Sequence, residues 1–131
     1  MFVDASVIIA MMTCESEARI FARRMHASTV RMTSPMAVAK AAVSVGSILA
    51  MPMTEVETAI KAFLQIMNIQ LLAVPPRAAF LAADAHQRFG KGYQAADLDL
   101  DDCMTYACAR YYRQPLLFKG GNLGKTDIEV A

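Results

Sequence analysis

The chain has 131 residues, of which 56% are hydrophobic and 19% charged, with a formal net charge of +1. That balance excludes intrinsic disorder, predicts one domain over residues 1–131 with a sizeable core, and argues neither for nor against nucleic acid. No apolar run reaches the roughly 18 residues of a membrane span, and Asp4 inside the apolar N-terminus, with no basic segment before it, does not suit a signal peptide.

Residues 1–4 read as a short buried strand and 5–12 as a first helical turn or two. Glu15, Glu17 and the apolar set Ala18, Phe21, Ala22 and Met25 predict a helix over about 14–27. Thr29 to Met32 is a weak strand. Ser34-Pro35 reads as an N-cap followed by proline at the first helical position, opening a helix through Val38, Ala41, Ala42 and Val45. Thr54-x-x-Glu57 reads as a capping box before a helix whose face carries Val56, Ile60, Phe63, Leu64 and Met67. Ile69 to Val74 predicts a buried strand closed by Pro75-Pro76. A helix over 77–89, a loop over Gly90 to Gln94, a helix over about 98–112, a strand over Pro115 to Phe118 and a last edge strand over Thr126 to Val130 complete the pattern. Alternating strands and helices imply an α/β domain: a central parallel sheet of four to five strands with helices on both faces.

Asp4 ends an apolar run and precedes a helix. The carboxyl ends of central strands are where open α/β sheets place their ligand crevices, and a carboxylate buried there needs a partner, commonly a cation. It suits an N-cap equally well. A second acidic set, Asp97, Asp99, Asp101 and Asp102, opens the helix near residue 98. Two distant carboxylate sets at element ends suggest a site for a hard metal ion, although Asp97 and Asp101 also fit an ordinary acidic helix start. Cys14, Cys103 and Cys108 lack zinc-ligand spacing and leave an odd thiol, the pattern of a reduced cytoplasmic protein. Cys103 and Cys108 read as small buried residues, His26 and His86 as surface or helix-face residues, and Asp127 as a turn residue. Arg19, Arg23 and Arg24 form a basic stripe that is either a solvated face or a grip for RNA phosphates or an acidic tail. Ten methionines and the apolar helices over 35–49 and 54–67 suggest a homodimer or a groove for a partner peptide.

Four segments, taken together and in order, resemble the PIN-domain ribonuclease toxins of the VapC type. They are Met1-Phe2-Val3-Asp4-Ala5-Ser6, Thr33-Ser34-Pro35, the run Leu98-Asp99-Leu100-Asp101-Asp102-Cys103-Met104-Thr105-Tyr106-Ala107, and Pro115-Leu116-Leu117-Phe118-Lys119-Gly120 followed by Thr126-Asp127-Ile128. The resemblance spans essentially the whole chain. It implies a PIN-like fold and a metal-dependent endoribonuclease, the toxin half of a toxin–antitoxin pair, with Mg²⁺ or Mn²⁺ as cofactor. RNA is then the substrate and a VapB-like antitoxin the cognate partner. Asp4 becomes the central metal ligand and Asp102 the second acid. Asp99 becomes an extra acid on the same helix face, and Ser6 a hydrogen-bond donor beside Asp4. Apart from the resemblance, Lys119 beside the closing strand, and Arg110 or Arg113, are further candidates to contact RNA phosphates.

Two positions depart from the family pattern. Lys40 stands where the family has its second acid, and Asn122 stands at the fourth acidic position. An ammonium group repels a metal ion, so Lys40 is predicted to pair with Asp4 and Asp102. Asn122 still offers a carbonyl oxygen, and Asp99, Asp101 or Asp127 compensates for the lost charge. The alternative implied by both departures is a catalytically impaired PIN-fold protein that dimerises and binds an antitoxin or RNA without cleaving. An inactive variant of an active toxin is a third reading.

Overall fold

The computed structural model describes residues 1–92 and 96–131. Four short strands, β1 (Phe2–Val3), β2 (Met32–Thr33), β3 (Gln70–Leu71) and β4 (Leu116–Leu117), form one parallel sheet in the order β3-β2-β1-β4. Among the described residues, six α-helices connect and cover them, α1 (Ala5–Met12), α2 (Ala18–His26), α3 (Pro35–Leu49), α4 (Met53–Ile66), α5 (Ala78–Phe89) and α6 (Leu100–Tyr111), and a 3-10 turn spans Leu123–Lys125. Successive strand residues face opposite sides of a sheet, and the two cores follow that alternation. Val3 and Leu117 pack with α1, α3 and α4 through Val7, Ile8, Ala41, Val45, Val56 and Ile60. Phe2, Met32 and Leu116 pack with α5 and α6 through Ala82, Ala85, Cys103 and Ala107, and with Leu98 just before α6. The predicted α/β architecture, with helices on both faces, is therefore the one observed. Among the described residues, no helix is long and apolar enough to cross a membrane.

Local chemistry explains the elements closest to the site. Ser34 caps α3, its hydroxyl accepting from the Ala37 amide at 3.2 Å, with Pro35 in the first helical turn. Thr33, fully buried in β2, donates to the Val3 carbonyl at 2.8 Å, tying β2 to β1 just before Asp4. Arg31 donates to the carbonyls of Met25, Ser28 and Met67, so one guanidinium closes the ends of α2 and α4 beneath the sheet edge.

Several expectations shift. The helix expected from residue 14 begins at Ala18, because Cys14 turns the chain with a φ of 56°. The weak strand over Thr29–Met32 lies at Met32–Thr33 instead. The Thr54–Glu57 capping box does not form. α4 starts at Met53 after Pro52, without a side-chain cap, and Glu57 pairs with Lys61 at 2.7 Å. The run Ile69 to Val74 contributes two paired residues, Gln70 and Leu71, both exposed, with β3 at the edge of the sheet. The helix expected from residue 98 starts at Leu100, since Asp99 caps it, while Asp97 stands outside it with a φ of 52°. Thr126 to Val130 is a single parallel bridge, Val130 to Leu116, rather than a fifth strand. Of the loop expected over Gly90 to Gln94, Gly90 bridges Leu98, and Tyr93 and Gln94 lie outside the described residues.

Candidate metal and phosphodiester site

Asp4 leaves the sheet at the C-terminal end of β1, its amide still bonded to the Leu117 carbonyl at 2.9 Å. Its side chain caps α1. One carboxylate oxygen accepts from the Ser6 amide at 3.1 Å and the Ser6 hydroxyl at 2.5 Å, and the other accepts from the Thr105 hydroxyl at 3.2 Å. The Ser6 hydroxyl in turn accepts from the Lys119 amide at 2.9 Å, which directs its proton to Asp4. The cap reading of Asp4 is therefore the one observed. Capping occupies lone pairs on both oxygens, yet a carboxylate has about four such sites, so capacity remains.

Asp102 arrives on the first turn of α6. It forms a reciprocal cap with Asp99: the Asp102 amide donates to Asp99 at 2.8 Å, and the Asp99 amide donates to the Asp102 carboxylate at 3.4 Å. Burial raises the Asp102 carboxyl pKa, and the negative charges of Asp99 and Asp4 raise it further. The Asp99 amide and the Lys40 charge oppose that rise. Burial, with the negative charges of Asp102 and Asp99, pushes the neighbouring Cys103 thiol up to about 11, leaving it protonated and unreactive at neutral pH.

Asp4, Ser6, Lys40, Asp102 and Asn122 line one pocket of about 290 Å³, with Lys119 and the turn Gly120-Gly121 on its far rim. Gly120 has a φ of 102°, which suits glycine and brings the turn across the pocket mouth. Five of the six site residues expected from the sequence thus come together. Asp99 does not line the pocket; it stands behind Asp102 as its cap and acts on it through charge.

Lys40 differs from its expected pairing. Its ammonium lies 3.6 Å from Asp101, both side chains about half exposed, rather than in an ion pair with Asp4 or Asp102. Asp101 sits on the outer side of the first turn of α6, where pairing costs little desolvation, whereas Asp102 turns inward. Asp127 is also removed from the site, accepting from Tyr106 at 2.6 Å and from Arg88 at 3.0 Å. The compensation expected of Asp101 and Asp127 is therefore spent on other partners. Lys119 is held by Glu15 and Glu17 at the rim, and these contacts raise its pKa. Thr105 escaped the sequence reading, although it lies three residues after Asp102 and so on the same helix face.

Among the described residues, no group of three or more Asp, Glu, His or Cys is arranged to hold a metal. The donors present are two carboxylates, the Ser6 hydroxyl and the exposed Asn122 amide. Magnesium commonly binds through one or two carboxylates and keeps several waters. The Asp102 pKa is raised first by burial and then by the charges of Asp99 and Asp4, and a cation in the pocket would oppose that rise. The donor set fits one hard divalent ion, with less charge than a fully acidic site because two lysines share the pocket.

The family model described as PIN domain matches residues 1–129. The chain is 31% identical to Ribonuclease VapC of Mycolicibacterium smegmatis, covering 98% of this chain and 97% of that one. It is 32% identical to Ribonuclease VapC42 of Mycobacterium tuberculosis, covering 100% of this chain and 98% of the relative. The solved structure of Mycobacterium tuberculosis VapC20, titled a sarcin–ricin loop cleaving toxin, shares the fold with a TM-score of 0.73 at 15% identity, covering 97% of this chain and 95% of that one. Nucleases of this kind are generally metal-dependent. The chain belongs to the PIN-domain family, in company with the VapC ribonucleases.

Proposed function

We propose that this single-domain PIN protein is the toxin of a VapBC-type toxin–antitoxin system, an endoribonuclease that hydrolyses RNA phosphodiester bonds with Mg²⁺ or Mn²⁺. The supporting observation is the meeting of Asp4 and Asp102, distant in sequence, in one pocket at the C-terminal end of the sheet. A divalent ion held there supplies positive charge against a phosphodiester and makes water more acidic. Asp4 and Asp102 are its ligands, with Asn122 the neutral oxygen opposite. Ser6 and Thr105 hold the Asp4 carboxylate in one orientation, the outer-shell support that metal ligands require. Lys119 and the turn after β4 border the pocket, where a phosphate would enter.

The partners follow the family: RNA as substrate, a VapB-like antitoxin, and a second copy of the chain, acting in the cytoplasm. Exposed Val43, Ile48, Leu49, Met53 and Ile66 on α3 and α4 support association. Light scattering after size exclusion is expected to give a dimer mass at micromolar concentration; a clean monomer contradicts it.

Lys40 supports a second reading, a PIN-fold protein that binds antitoxin or RNA with impaired cleavage. Its charge opposes a cation in the pocket it lines. RNA cleavage with added Mn²⁺ separates the two. Cleavage by the parent that is lost in Asp4→Asn supports the enzyme, whereas silence in the parent with cleavage by Lys40→Glu supports a nuclease disabled at one position.

A further inference from the structure

A second cavity lies at the opposite end of α6. It measures about 620 Å³ and is lined by Arg77, Arg110, Arg113, Gln114 and Glu129, among others. α5 and α6 run antiparallel, so Arg77, which precedes α5, meets Arg110 in the last turn of α6. Arg113 follows in a left-handed turn, with a φ of 55°. Among the described residues, none of the three arginines has a carboxylate within ion-pair distance. Three arginines therefore line one cavity against a single glutamate, although the Arg110 guanidinium also lies 5.9 Å from the Tyr106 ring centroid and lowers the Asp127 pKa through its charge. In the acidic pocket, by contrast, two carboxylates face two lysines.

We infer that this arginine-lined cavity binds backbone phosphates of the RNA whose scissile bond lies in the acidic pocket. The inference rests on the ribonuclease reading and adds to it a second, distal grip. Guanidinium forks match phosphate oxygens in planar, two-point geometry. Asp102 and Arg110 are eight residues apart on α6, about 12 Å along the helix axis. At the 3.4 Å rise of a stacked strand, that distance corresponds to about four nucleotides. The cavity therefore contacts phosphates away from the cleaved bond and leaves the chemistry to Asp4 and Asp102. Such a grip favours a folded or multi-nucleotide RNA over a dinucleotide.

The test is binding of a fluorescent RNA hairpin to the unmodified protein in EDTA across a NaCl series. The comparison is with the triple variant Arg77→Gln, Arg110→Gln, Arg113→Gln and, separately, with Glu129→Gln. Each phosphate contact on a single strand contributes about 0.7 to the log–log salt slope, so the triple variant is expected to bind with a slope shallower by about 2 and at least about tenfold more weakly in 0.1 M salt. Glu129→Gln, which removes the opposing charge, is expected to bind more tightly. An unchanged slope in a folded triple variant overturns the inference, as does an acidic peptide competing for the cavity while the RNA slope stays the same. Should the triple variant fail to fold, Glu129→Gln decides alone: tighter binding supports the inference and unchanged binding overturns it. Cleavage of the same hairpin in Mn²⁺ by the parent and by Asp4→Asn is scored separately. A failed ribonuclease reading then appears as absent cleavage while the salt slope remains readable.

Discussion

Asp4 and Asp102 reach the same pocket by different means. Asp4 sits on the sheet, and hydrogen bonds from Ser6 and Thr105 fix both of its oxygens. Asp102 sits at a helix start, its position shared with Asp99 and its charge state set by burial, two nearby acids and one lysine. The Asp4 side is thus governed by geometry and the Asp102 side by electrostatics. Changes near Asp4 should alter whether the site works at all. Changes near Asp102 should alter how strongly, and at what pH.

The largest effect is expected from Asp4→Asn. Asparagine caps a helix about as well as aspartate, so the melting temperature should hold while RNA cleavage in Mn²⁺ falls by at least about a hundredfold. A parallel loss of fold would erase the distinction between cap and ligand. Thr105→Val comes next. It removes one hydrogen bond to Asp4 in a buried position, and losses of this outer-shell kind weaken metal binding by about tenfold or more. Calorimetric titration with Mn²⁺ measures this.

Lys40→Glu acts on the other side. Replacing a cation by a carboxylate should strengthen Mn²⁺ binding roughly tenfold and also raise the Asp102 pKa, because Lys40 now lowers it. Activity should rise while its acid limb moves to higher pH. Asp99→Asn should do the reverse to the pH profile: loss of a negative neighbour lowers the Asp102 pKa and shifts the acid limb down. The stability sign is separate. Asp102 has a folded pKa raised above its unfolded value, so its ionisation costs stability as pH rises through that folded value. In EDTA at pH 7, Asp102→Asn should therefore give a small rise in melting temperature.

The smallest effect belongs to a region outside the pocket. Asp127 accepts from Tyr106 and Arg88, and these bonds hold its carboxyl below the usual range. Its contribution to stability is present above the unfolded carboxyl pKa and is lost as pH falls through the depressed folded value. Tyr106→Phe should cost about 1 kcal/mol in urea denaturation and leave cleavage unchanged. A loss of cleavage would mean that Asp127 belongs to the site after all.

How legible these regions were in the sequence follows the same division. Asp4 with Ser6, and Ser34-Pro35, are local signals in which cap, turn and strand end lie within a few residues, and they mark the starts of α1 and α3, the elements that bring Ser6 and Lys40 to the pocket beside Asp4. The Lys40 partner was not legible. Residues Asp99, Asp101 and Asp102 differ in direction on one helical turn, and only the three-dimensional placement of Lys40 relative to the start of α6 selects Asp101. β3 misled for a related reason. An apolar run ending in Pro75-Pro76 reads as buried, yet its exposure depends on its place at the sheet edge. The arginine cavity is assembled from residues before α5 and at the end of α6, and their meeting depends on the antiparallel packing of those helices.

The most direct measurement is cleavage of a structured RNA by the purified protein in Mn²⁺, in EDTA, and by the Asp4→Asn variant in Mn²⁺. The account predicts cleavage in the first condition and none in the other two. Cleavage that persists in EDTA or in Asp4→Asn would contradict a metal-dependent site built on Asp4.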